Sequence, residues 1–401
     1  MTARILDLTR LVSRLGRGPM TGIDRVEYAY LSHLIGLDVP LFGLVRTRIG
    51  FALLDRAGVI ALAQRFRGET PVGRSGILER FCYPKSPLRA RAEAEVRRLA
   101  LTRCSRLGLA RMVRRNMPHA RGCLPSYLNV GHANLALRAL TAIRAAGCKI
   151  AVLIHDTIPL DHPEFCRPDT IPGFKRKISA VAQMADLVIH SSRDARSKTE
   201  VHFAKAGRVP QGIVANLGVP LPHVGALPVG FDPLPPYFVT LGTIEPRKNH
   251  SLLLDIWERL PEPRPRLLIL GARGWNNEAV FARLDKLRSR PDILELPGLD
   301  DATVAALLHG ARALLFPSFA EGFGLPPIEA MAMGVPVISA DLPVIRELLG
   351  DKAVYLNPSD SYSWLETIKE WTQRSDPIDS RAIRVVPPQW SAHFKTVLTH
   401  I

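Results

Sequence analysis

This sequence of 401 residues has no apolar stretch long enough to cross a lipid bilayer. Its longest mostly apolar runs, such as residues 330–340, reach about half of the roughly 18–20 residues that a spanning helix needs. The N-terminal segment carries four charged side chains and so lacks the apolar centre of a signal peptide. Five cysteines form no Cys-x-x-Cys pair, which argues against a disulfide framework and a zinc site. We therefore expect a soluble chain in a reducing cytoplasm.

Familiar metal and phosphate motifs are also absent. The sequence contains no Asp-x-Asp, no Gly-Lys-Ser/Thr phosphate loop, no His-Glu-x-x-His and no catalytic-serine elbow. A bound diphosphate would then have to be neutralised by cationic side chains and by helix dipoles. For this reason we expect neither a metal nor a bound cofactor.

Positive charge is concentrated in the first half of the chain. Residues 1–220 contain 35 Lys and Arg against 16 Asp and Glu, a net +19, whereas residues 221–401 contain 18 against 21, a net −3. Eleven arginines and one lysine lie within residues 80–121, and the stretch 93–115 has helical periodicity. Such a surface suits an anionic membrane or nucleic acid, or is simply a solvated helix. Few aromatic rings interleave with the arginines, which disfavours nucleic acid.

Apolar runs alternate with helical segments in both halves, as buried parallel strands alternate with crossover helices. Candidate strands in the first half are 3–8, 39–45, 126–131, 149–156 and 186–192, with helices at 22–35, 133–146 and 173–184. Candidate strands in the second half are 237–242, 267–271, 293–298, 313–316, 335–339 and 353–356. The pattern predicts an α/β fold with two doubly wound, Rossmann-like domains that face a cleft.

Six prolines and three glycines within residues 218–236 indicate an interdomain linker. We predict a basic N-terminal acceptor domain at 1–219, a linker at 220–236, a C-terminal donor domain at 237–386 and a terminal helix at 387–401.

Residues 318–339, SFAEGFGLPPIEAMAMGVPVIS, carry the strongest chemical signal. Glu321 and two glycines follow an apolar strand and precede a helix with prolines in its first turn, so free backbone amides and the helix dipole can meet an anion. Glu329 lies about one turn into that helix. Because a carboxylate can accept two hydroxyl hydrogen bonds, this arrangement suits a ribose or sugar diol, although both glutamates could also be surface charges beside a turn.

A second signal is LGTIEPRKNH, residues 241–250. Arg247 and Lys248 follow the strand that ends at Gly242 and precede a helix for which Asn249 is a suitable N-cap. Two cations at the carboxyl end of a strand could neutralise a diphosphate, Lys as a point charge and Arg as a fork. An isolated Arg-Lys pair is usually solvated surface, but the glutamate motif downstream favours a site.

These two motifs, with a Gly/Trp turn at 271–275, resemble the retaining nucleotide-sugar glycosyltransferases of family 4, which have the GT-B architecture. The resemblance is close over about 237–358. It implies that the terminal helix crosses back to the N-terminal domain. It also implies that Arg247 and Lys248 bind the donor diphosphate near Gly242, that Glu329 holds the ribose, and that Glu321 faces the donor sugar. Backbone amides at Gly322, Phe323, Gly324 and Leu325 would assist, and the base would lie near Leu296 and Gly298.

The first half resembles the bacterial polysaccharide and lipopolysaccharide branch of that family more loosely, through TGIDRVEYAY (21–30), IHDTIP (154–159) and HSSRDARSK (190–198). This likeness implies that Thr21 and Gly22 close over the phosphates and that His155 and Asp156 approach the sugar and the acceptor. His132 is a weaker acceptor-side candidate, and the His-Asp pair could instead form an ordinary turn. Unlike the family pattern, a long arginine-containing stretch, residues 9–20, separates the first strand from Thr21.

The combined interpretation is a retaining, metal-independent hexosyltransferase of cell-surface polysaccharide biosynthesis. It would transfer sugar from a nucleoside-diphosphate donor to a glycan acceptor, expected to be lipid-linked, with Glu321, His155, Lys248 and Arg247 carrying catalysis. We expect it on the cytoplasmic face of the cell membrane, bound to anionic lipid and not to nucleic acid. Two alternatives stay open: a glycoside hydrolase that uses Glu321 and Glu329 as a carboxylate pair, and a basic nucleic-acid-binding protein.

Overall fold

The structure is a computed structural model that describes residues 2–17, 20, 22–117, 124–231, 236–374 and 383–401. Its strands form two separate sheets, one of eight strands within residues 4–214 and one of six strands within residues 237–356. Neighbouring residues of the first strand, Ile5 and Leu6, belong to different hydrophobic clusters. The first sheet is therefore buried on both faces, as a doubly wound sheet must be.

The first sheet has the strand order β4-β3-β2-β1-β5-β6-β7-β8. Its strands are β1 (Arg4–Asp7), β2 (Leu41–Arg46), β3 (Gly50–Leu54), β4 (Thr102–Ser105), β5 (Ser126–Asn129), β6 (Lys149–Ile154), β7 (Leu187–His190) and β8 (Gln211–Val214). All neighbours pair in parallel except β2 with β3 and β3 with β4, which are antiparallel.

Ten α-helices of the described residues belong to this domain. They are α1 (Thr9–Arg14), α2 (Gly22–Ile35), α3 (Arg56–Phe66), α4 (Ile77–Cys82), α5 (Pro87–Leu99), α6 (Leu109–Asn116), α7 (Leu137–Ala145), α8 (Ile158–Asp161), α9 (Thr170–Met184) and α10 (Arg193–Lys205).

One sequence-based expectation about this domain is wrong. The helical periodicity of residues 93–115 is interrupted by β4, because Phe51 of β3 pairs with Cys104 in a ladder that only the tertiary fold brings together. The first part of the stretch 9–20 forms the helix α1. Thr9, Leu11 and Val12 of that helix are buried.

The second sheet is wholly parallel and has the order β11-β10-β9-β12-β13-β14. Its strands are β9 (Tyr237–Leu241), β10 (Arg266–Leu270), β11 (Ile293–Glu295), β12 (Ala313–Phe316), β13 (Val337–Ala340) and β14 (Val354–Leu356). Its helices are α11 (His250–Arg259), α12 (Glu278–Lys286), α13 (Asp301–His309), α14 (Leu325–Ala332), α15 (Pro343–Leu349) and α16 (Ser361–Gln373). This order is that of a Rossmann domain, with the direction of winding reversed between β9 and β12.

The terminal helix α17 (Trp390–Leu398) crosses back and packs on α2 of the first domain, as predicted. The Tyr30 hydroxyl lies 2.7 Å from Nε2 of His393, whose Nδ1 lies 3.1 Å from the carbonyl oxygens of Ala215 and Asn216. Phe394 stacks on His33 with ring centroids 3.8 Å apart. This helix therefore joins the last segment of the chain to the N-terminal core.

Among the described residues, no helix is both long enough and apolar enough to cross a membrane.

Candidate active site

The reversal of winding in the second sheet brings the two predicted motifs together. Residues 242–249 follow β9 and residues 317–324 follow β12, and these two strands are neighbours that pair in parallel. Ligands of such sheets bind at the carboxyl ends of the strands where the winding reverses. The motifs, 73 residues apart in sequence at Lys248 and Glu321, therefore line one crevice.

Arg247 and Lys248 converge on one carboxylate oxygen of Glu321. Nη1 of Arg247 lies 2.8 Å from Oε1 of Glu321, and Nζ of Lys248 lies 2.6 Å from the same oxygen. Arg247 is held in place by Glu245, whose Oε1 lies 2.6 Å from Nη2, and by the carbonyl oxygen of Ala320 at 2.7 Å from Nη1. Lys248 also lies over the ring of Phe316, the last residue of β12, at 4.7 Å from the centroid.

The cluster keeps Glu321 ionised. Burial would raise the pKa of this carboxyl, but Arg247 and Lys248 outweigh burial and lower it to about 2. Burial likewise opposes the charge on Arg247, yet the carboxylates of Glu321 and Glu245 raise its pKa. Burial lowers the pKa of Lys248, against the pull of Glu321. Two buried cations thus stand where a diphosphate could replace part of their contact with one carboxylate.

The turn before α14 has the backbone that the sequence predicted. Gly324 adopts a left-handed conformation, with φ of 87°, and α14 begins at the next residue with prolines in its first turn. Glu329, one turn in, is only 13% exposed at its side chain, and burial raises its pKa. Its Oε1 lies 3.4 Å from Nη1 of Arg25, whose Nη2 lies 2.6 Å from Asp301. The carboxylate proposed for the ribose is thus paired with the N-terminal domain across the cleft.

Asn249 was predicted to cap α11, but its side chain does not do so. It occupies the position before the helix, but its φ is 54° and its side chain makes no capping hydrogen bond. Its amide instead donates to the carbonyl oxygen of Pro358 at 3.0 Å. Asn249 therefore fixes the loop that carries Arg247 and Lys248 to the end of the sheet.

His155 and Asp156 lie directly across the cleft from Glu321. Nε2 of His155 is 2.7 Å from the carbonyl oxygen of Val130, so this nitrogen carries the proton and donates it. Burial lowers the pKa of His155 to about 4, which keeps the ring neutral at pH 7. Burial raises the pKa of Asp156, while the nearby Arg247 lowers it and Glu321 raises it. The carboxylate of Asp156 also accepts a hydrogen bond from the backbone N–H of Ile158. The His-Asp pair therefore also forms the ordinary turn that was the alternative interpretation.

His132 lies behind His155. Its Nε2 accepts the backbone N–H of His155 at 3.1 Å, and the two rings are 4.9 Å apart between centroids. His132 has a left-handed φ of 56° at the carboxyl end of β5. It therefore positions the backbone of His155.

The two domains touch at the glycines of the motif. A Cβ atom on Gly322 would lie 2.7 Å from the carbonyl oxygen of His155, so only glycine permits this approach. The Ser191 hydroxyl donates to the carbonyl oxygen of Gly322 at 3.3 Å. A Cβ on Gly22, the first residue of α2, would lie 3.6 Å from Leu325, the first residue of α14. The amino ends of two helices thus face each other across the cleft.

The predicted base-binding region lies at the edge of the same sheet. Leu296 and Gly298 follow β11, with Leu296 half-buried and Gly298 at a left-handed φ of 74° beside open space. Phe323 is buried in the core, and Gly242 lies against the stem of Lys248. Thr21 lies outside the described residues.

Comparison with known proteins agrees with this arrangement. Residues 229–383 match the family model described as glycosyl transferases group 1. This part of the chain is similar to the group 1 glycosyl transferases.

Among curated proteins, the serotype-specific mannosyltransferase WbdA of Escherichia coli is 30% identical over 254 residues, 58% of this chain and 31% of WbdA. The O-antigen chain mannosyltransferase B of Escherichia coli is 37% identical over 127 residues, 31% of this chain and 33% of that protein. The chain spans about a third of the length of these curated relatives. The predicted likeness to bacterial polysaccharide glycosyltransferases is confirmed.

Among solved structures, Anabaena Alr3699/HepE in complex with UDP and glucose is similar over 100% of this chain and 99% of its own, with a TM-score of 0.65 and 14% identity. At this identity the likeness concerns the fold, and it confirms the predicted two-domain GT-B architecture.

Three residues of the charge network around the two motifs were missed in the sequence. Arg25 lies in the segment TGIDRV, which the sequence analysis had already singled out. The available signal was that Arg25 follows Gly22 by one helical turn. Glu245 precedes Arg247 by two residues, and an acidic residue beside two cations could have indicated an orienting partner. Asp301 carried no signal, because only the closed cleft brings it to Arg25.

We predict that Glu321→Gln destabilises the protein by about 3–5 kcal/mol near neutral pH, because it leaves two buried cations without their shared anion. The lowered pKa of Glu321 means that its ionised form stabilises the folded state fully above its usual pKa of 4.5, and that this is lost as the pH falls toward about 2. Urea unfolding should therefore show a gap between wild type and variant that narrows below pH 4.5. Glu366→Gln, at an exposed ion pair, should show little difference at any pH. A gap that widens with acid would contradict the ion cluster.

Proposed function

We propose that this protein transfers a hexose from a nucleoside-diphosphate sugar to a glycan acceptor in bacterial lipopolysaccharide or O-antigen biosynthesis. The observation that carries the proposal is the convergence of Arg247 and Lys248 on Glu321 beside the amino end of α14. The names of the mannosyltransferase relatives support an O-antigen role and make mannose the first hexose to test. The UDP and glucose bound to HepE support a nucleotide-sugar donor.

In the proposed donor complex, Arg247 and Lys248 contact the diphosphate, and Glu321 is released from part of its ion pairing to hold sugar hydroxyls. Glu329 would exchange its contact with Arg25 for the ribose hydroxyls. The amides at the start of α14 add their dipole to the phosphate site. The base would lie near Leu296 and Gly298.

The proposed reaction retains the configuration at the anomeric carbon. The acceptor oxygen bonds to that carbon from the face that the diphosphate leaves, the bond to the phosphate oxygen breaks, and the acceptor proton passes to the departing oxygen. The ring Nε2 of His155 is engaged in a hydrogen bond with Val130, so His155 would act through its backbone carbonyl oxygen, which lies close to Gly322. That oxygen would stabilise the positive charge that develops on the sugar ring. Arg247 and Lys248 would supply the charge that a metal supplies elsewhere.

The two alternative functions fit this geometry less well. A hydrolytic carboxylate pair leaves Arg247 and Lys248 without a role, and Glu321 is already bound to these two cations. The other member of the pair, Glu329, contacts Arg25. A nucleic-acid-binding protein gives no reason for a buried Arg-Lys-Glu cluster in a crevice of the acidic half of the chain.

We also propose that the N-terminal domain binds the cytoplasmic membrane surface. The short helix α4 exposes Ile77 and Phe81, at 88% and 85%, on either side of the cationic Arg80. Apolar side chains beside positive charge suit the interface of an anionic bilayer.

Lys248→Met should lower kcat by about 10²–10³-fold while the protein stays folded, because the developing diphosphate charge loses a preorganised partner. A thermal-shift screen of GDP-mannose, UDP-glucose, ADP-glucose and TDP-glucose would first identify the donor, and release of nucleoside diphosphate from it would then be measured. Lys369→Met, on the exposed side of α16, is the matched control. A folded Lys248→Met protein with near-wild-type kcat would refute the phosphate role.

Transfer should proceed in excess EDTA, and NMR should show a product with the anomeric configuration of the donor. The first expectation follows because side chains neutralise the leaving diphosphate, and the second because the acceptor attacks the anomeric carbon from the face that the diphosphate leaves. An inverted product, or activity abolished by EDTA and restored by Mn²⁺, would overturn the mechanism and leave the donor site intact.

Binding to liposomes should require anionic lipid and weaken as salt rises, since each basic residue near such a surface contributes about 1 kcal/mol that salt screens. The double variant Ile77→Ser/Phe81→Ser should bind more weakly than wild type in a sedimentation assay. Val386→Ser, which removes an equally exposed apolar side chain from the other domain, should bind normally. Equal binding to neutral and anionic liposomes would count against this surface.

A further inference from the structure

Two cavities of similar size adjoin each other in the N-terminal domain, apart from the Arg247–Lys248–Glu321 crevice. One, of about 620 Å³, is cationic and is lined by five arginines: Arg46, Arg48, Arg89, Arg106 and Arg138. The other, of about 630 Å³, has an apolar wall that includes Ile49, Leu78 and Leu101. The two share the residues Thr47, Arg48 and Phe51. Both volumes are in the range of small-molecule sites.

The positive charge of the first cavity is mostly uncompensated. No described residue pairs with the guanidinium groups of Arg46 or Arg138, and both side chains are exposed. Arg106 donates to a carbonyl oxygen, that of Arg48, at 3.2 Å. Of the five guanidinium groups, only that of Arg89 contacts a carboxylate of a described residue, that of Glu93 at 3.4 Å. The same carboxylate accepts the backbone N–H of Arg48 at 3.3 Å. No acidic residue occurs in the sequence between Glu95 and Asp156. Arg106 and Arg138 both lie in this segment, which therefore supplies no carboxylate to pair with them.

Five cations around one cavity repel each other. Arg247, in the other domain, instead meets two carboxylates and a carbonyl oxygen. Guanidinium forks fit phosphate oxygens, so an anion with several such oxygens would relieve the repulsion. The chemistry of this cavity is therefore that of a phosphate or diphosphate site.

The second cavity offers hydrocarbon contacts beside that anion site. Ile49, Leu78 and Leu101 remain 60%, 45% and 49% exposed, an uncovered apolar surface at the cavity wall. Leu78 lies on α4, whose neighbouring residues Ile77 and Phe81 face outward. An apolar chain could thus leave the cavity along the surface that we propose to meet the membrane.

The cationic cavity lies on the cleft side of the domain. Arg46 is the last residue of β2, at the same sheet edge as the ends of β5 and β6 that carry His132 and His155. Burial lowers the pKa of Lys177, and the charge of Arg46 lowers it further, so these two cations are neighbours. The pKa of His132 is lowered by burial, then by His155, and then by Lys177, so Lys177 in turn lies near His132. The cavity therefore adjoins the acceptor side of the cleft.

We propose that the two cavities form one binding site for a hydrocarbon chain that bears a phosphate or diphosphate, the carrier end of a lipid-linked acceptor. The arginines hold the phosphate, the apolar wall holds the first part of the chain, and the attached glycan reaches toward His155 and the donor site. The role as an acceptor site rests on the proposed function, whereas the binding itself does not.

The test uses farnesyl diphosphate as probe, with farnesol and inorganic diphosphate as its two halves, in titration calorimetry on the full chain. Farnesyl diphosphate should bind at least about tenfold more tightly than either half, since each contributes its own contacts. Arg46→Gln/Arg138→Gln should weaken farnesyl diphosphate and inorganic diphosphate about tenfold or more. Ile49→Ser/Leu101→Ser should weaken only the farnesyl compound. These four side chains are exposed, so the folded state should tolerate the changes.

Arg111→Gln/Arg115→Gln is the matched control, because it removes two exposed arginines of the same segment that line neither cavity. It should bind all three probes as wild type does. Equal weakening in this control, or equal affinity for farnesyl diphosphate and inorganic diphosphate, would overturn the site. Titration of GDP-mannose and UDP-glucose into the same variants separates the two proposals: failure of the carrier site leaves nucleotide-sugar binding intact, and failure of the donor site leaves farnesyl diphosphate binding intact.

Discussion

The candidate active site depends on a buried cluster of charges in which two cations share one carboxylate oxygen. Burying Arg247, Lys248 and Glu321 is costly unless each charge meets its opposite at close range, and the contacts of 2.8 and 2.6 Å provide this. The pairing spans 73 residues and exists only because β9 and β12 are neighbours. The reversal of winding between these strands therefore brings the two cations and the carboxylate together in one crevice.

The second constraint is how closely the two domains approach. Gly322 meets the carbonyl oxygen of His155, and Glu347 of α15 accepts the first two backbone N–H groups of α10 at 2.8 and 3.1 Å. The cavity between Asp156, Glu321 and Gly322 measures only about 10 Å³, far less than a hexose requires. Entry of the proposed donor would therefore require the domains to part, and the contacts of Arg25 with Glu329 and Asp301 would break.

Charge is divided between the domains according to what each would bind. The second domain, slightly acidic overall, buries Arg247 and Lys248 against carboxylates, as a site for one diphosphate needs. The first domain leaves Arg46 and Arg138 exposed around an open cavity and exposes apolar side chains on α4 nearby. One site is closed and preorganised, whereas the other is open and amphipathic, which suits a large acceptor more than a small donor.

The sequence by itself determined the parallel second sheet, the glycine turn before α14 and the residues that surround the crevice. These features depend on local pattern: short apolar strands, Gly324 where φ is positive, and prolines where a helix starts. Tertiary structure alone decided that residues 102–105 form a strand, because their partner, β3, lies about fifty residues earlier in the chain. It also placed Arg25 against Glu329 and gathered five arginines from four separate segments around one cavity. Such contacts depend on how helices and strands that are far apart in the sequence pack together, and the local pattern of apolar and polar residues does not predict them.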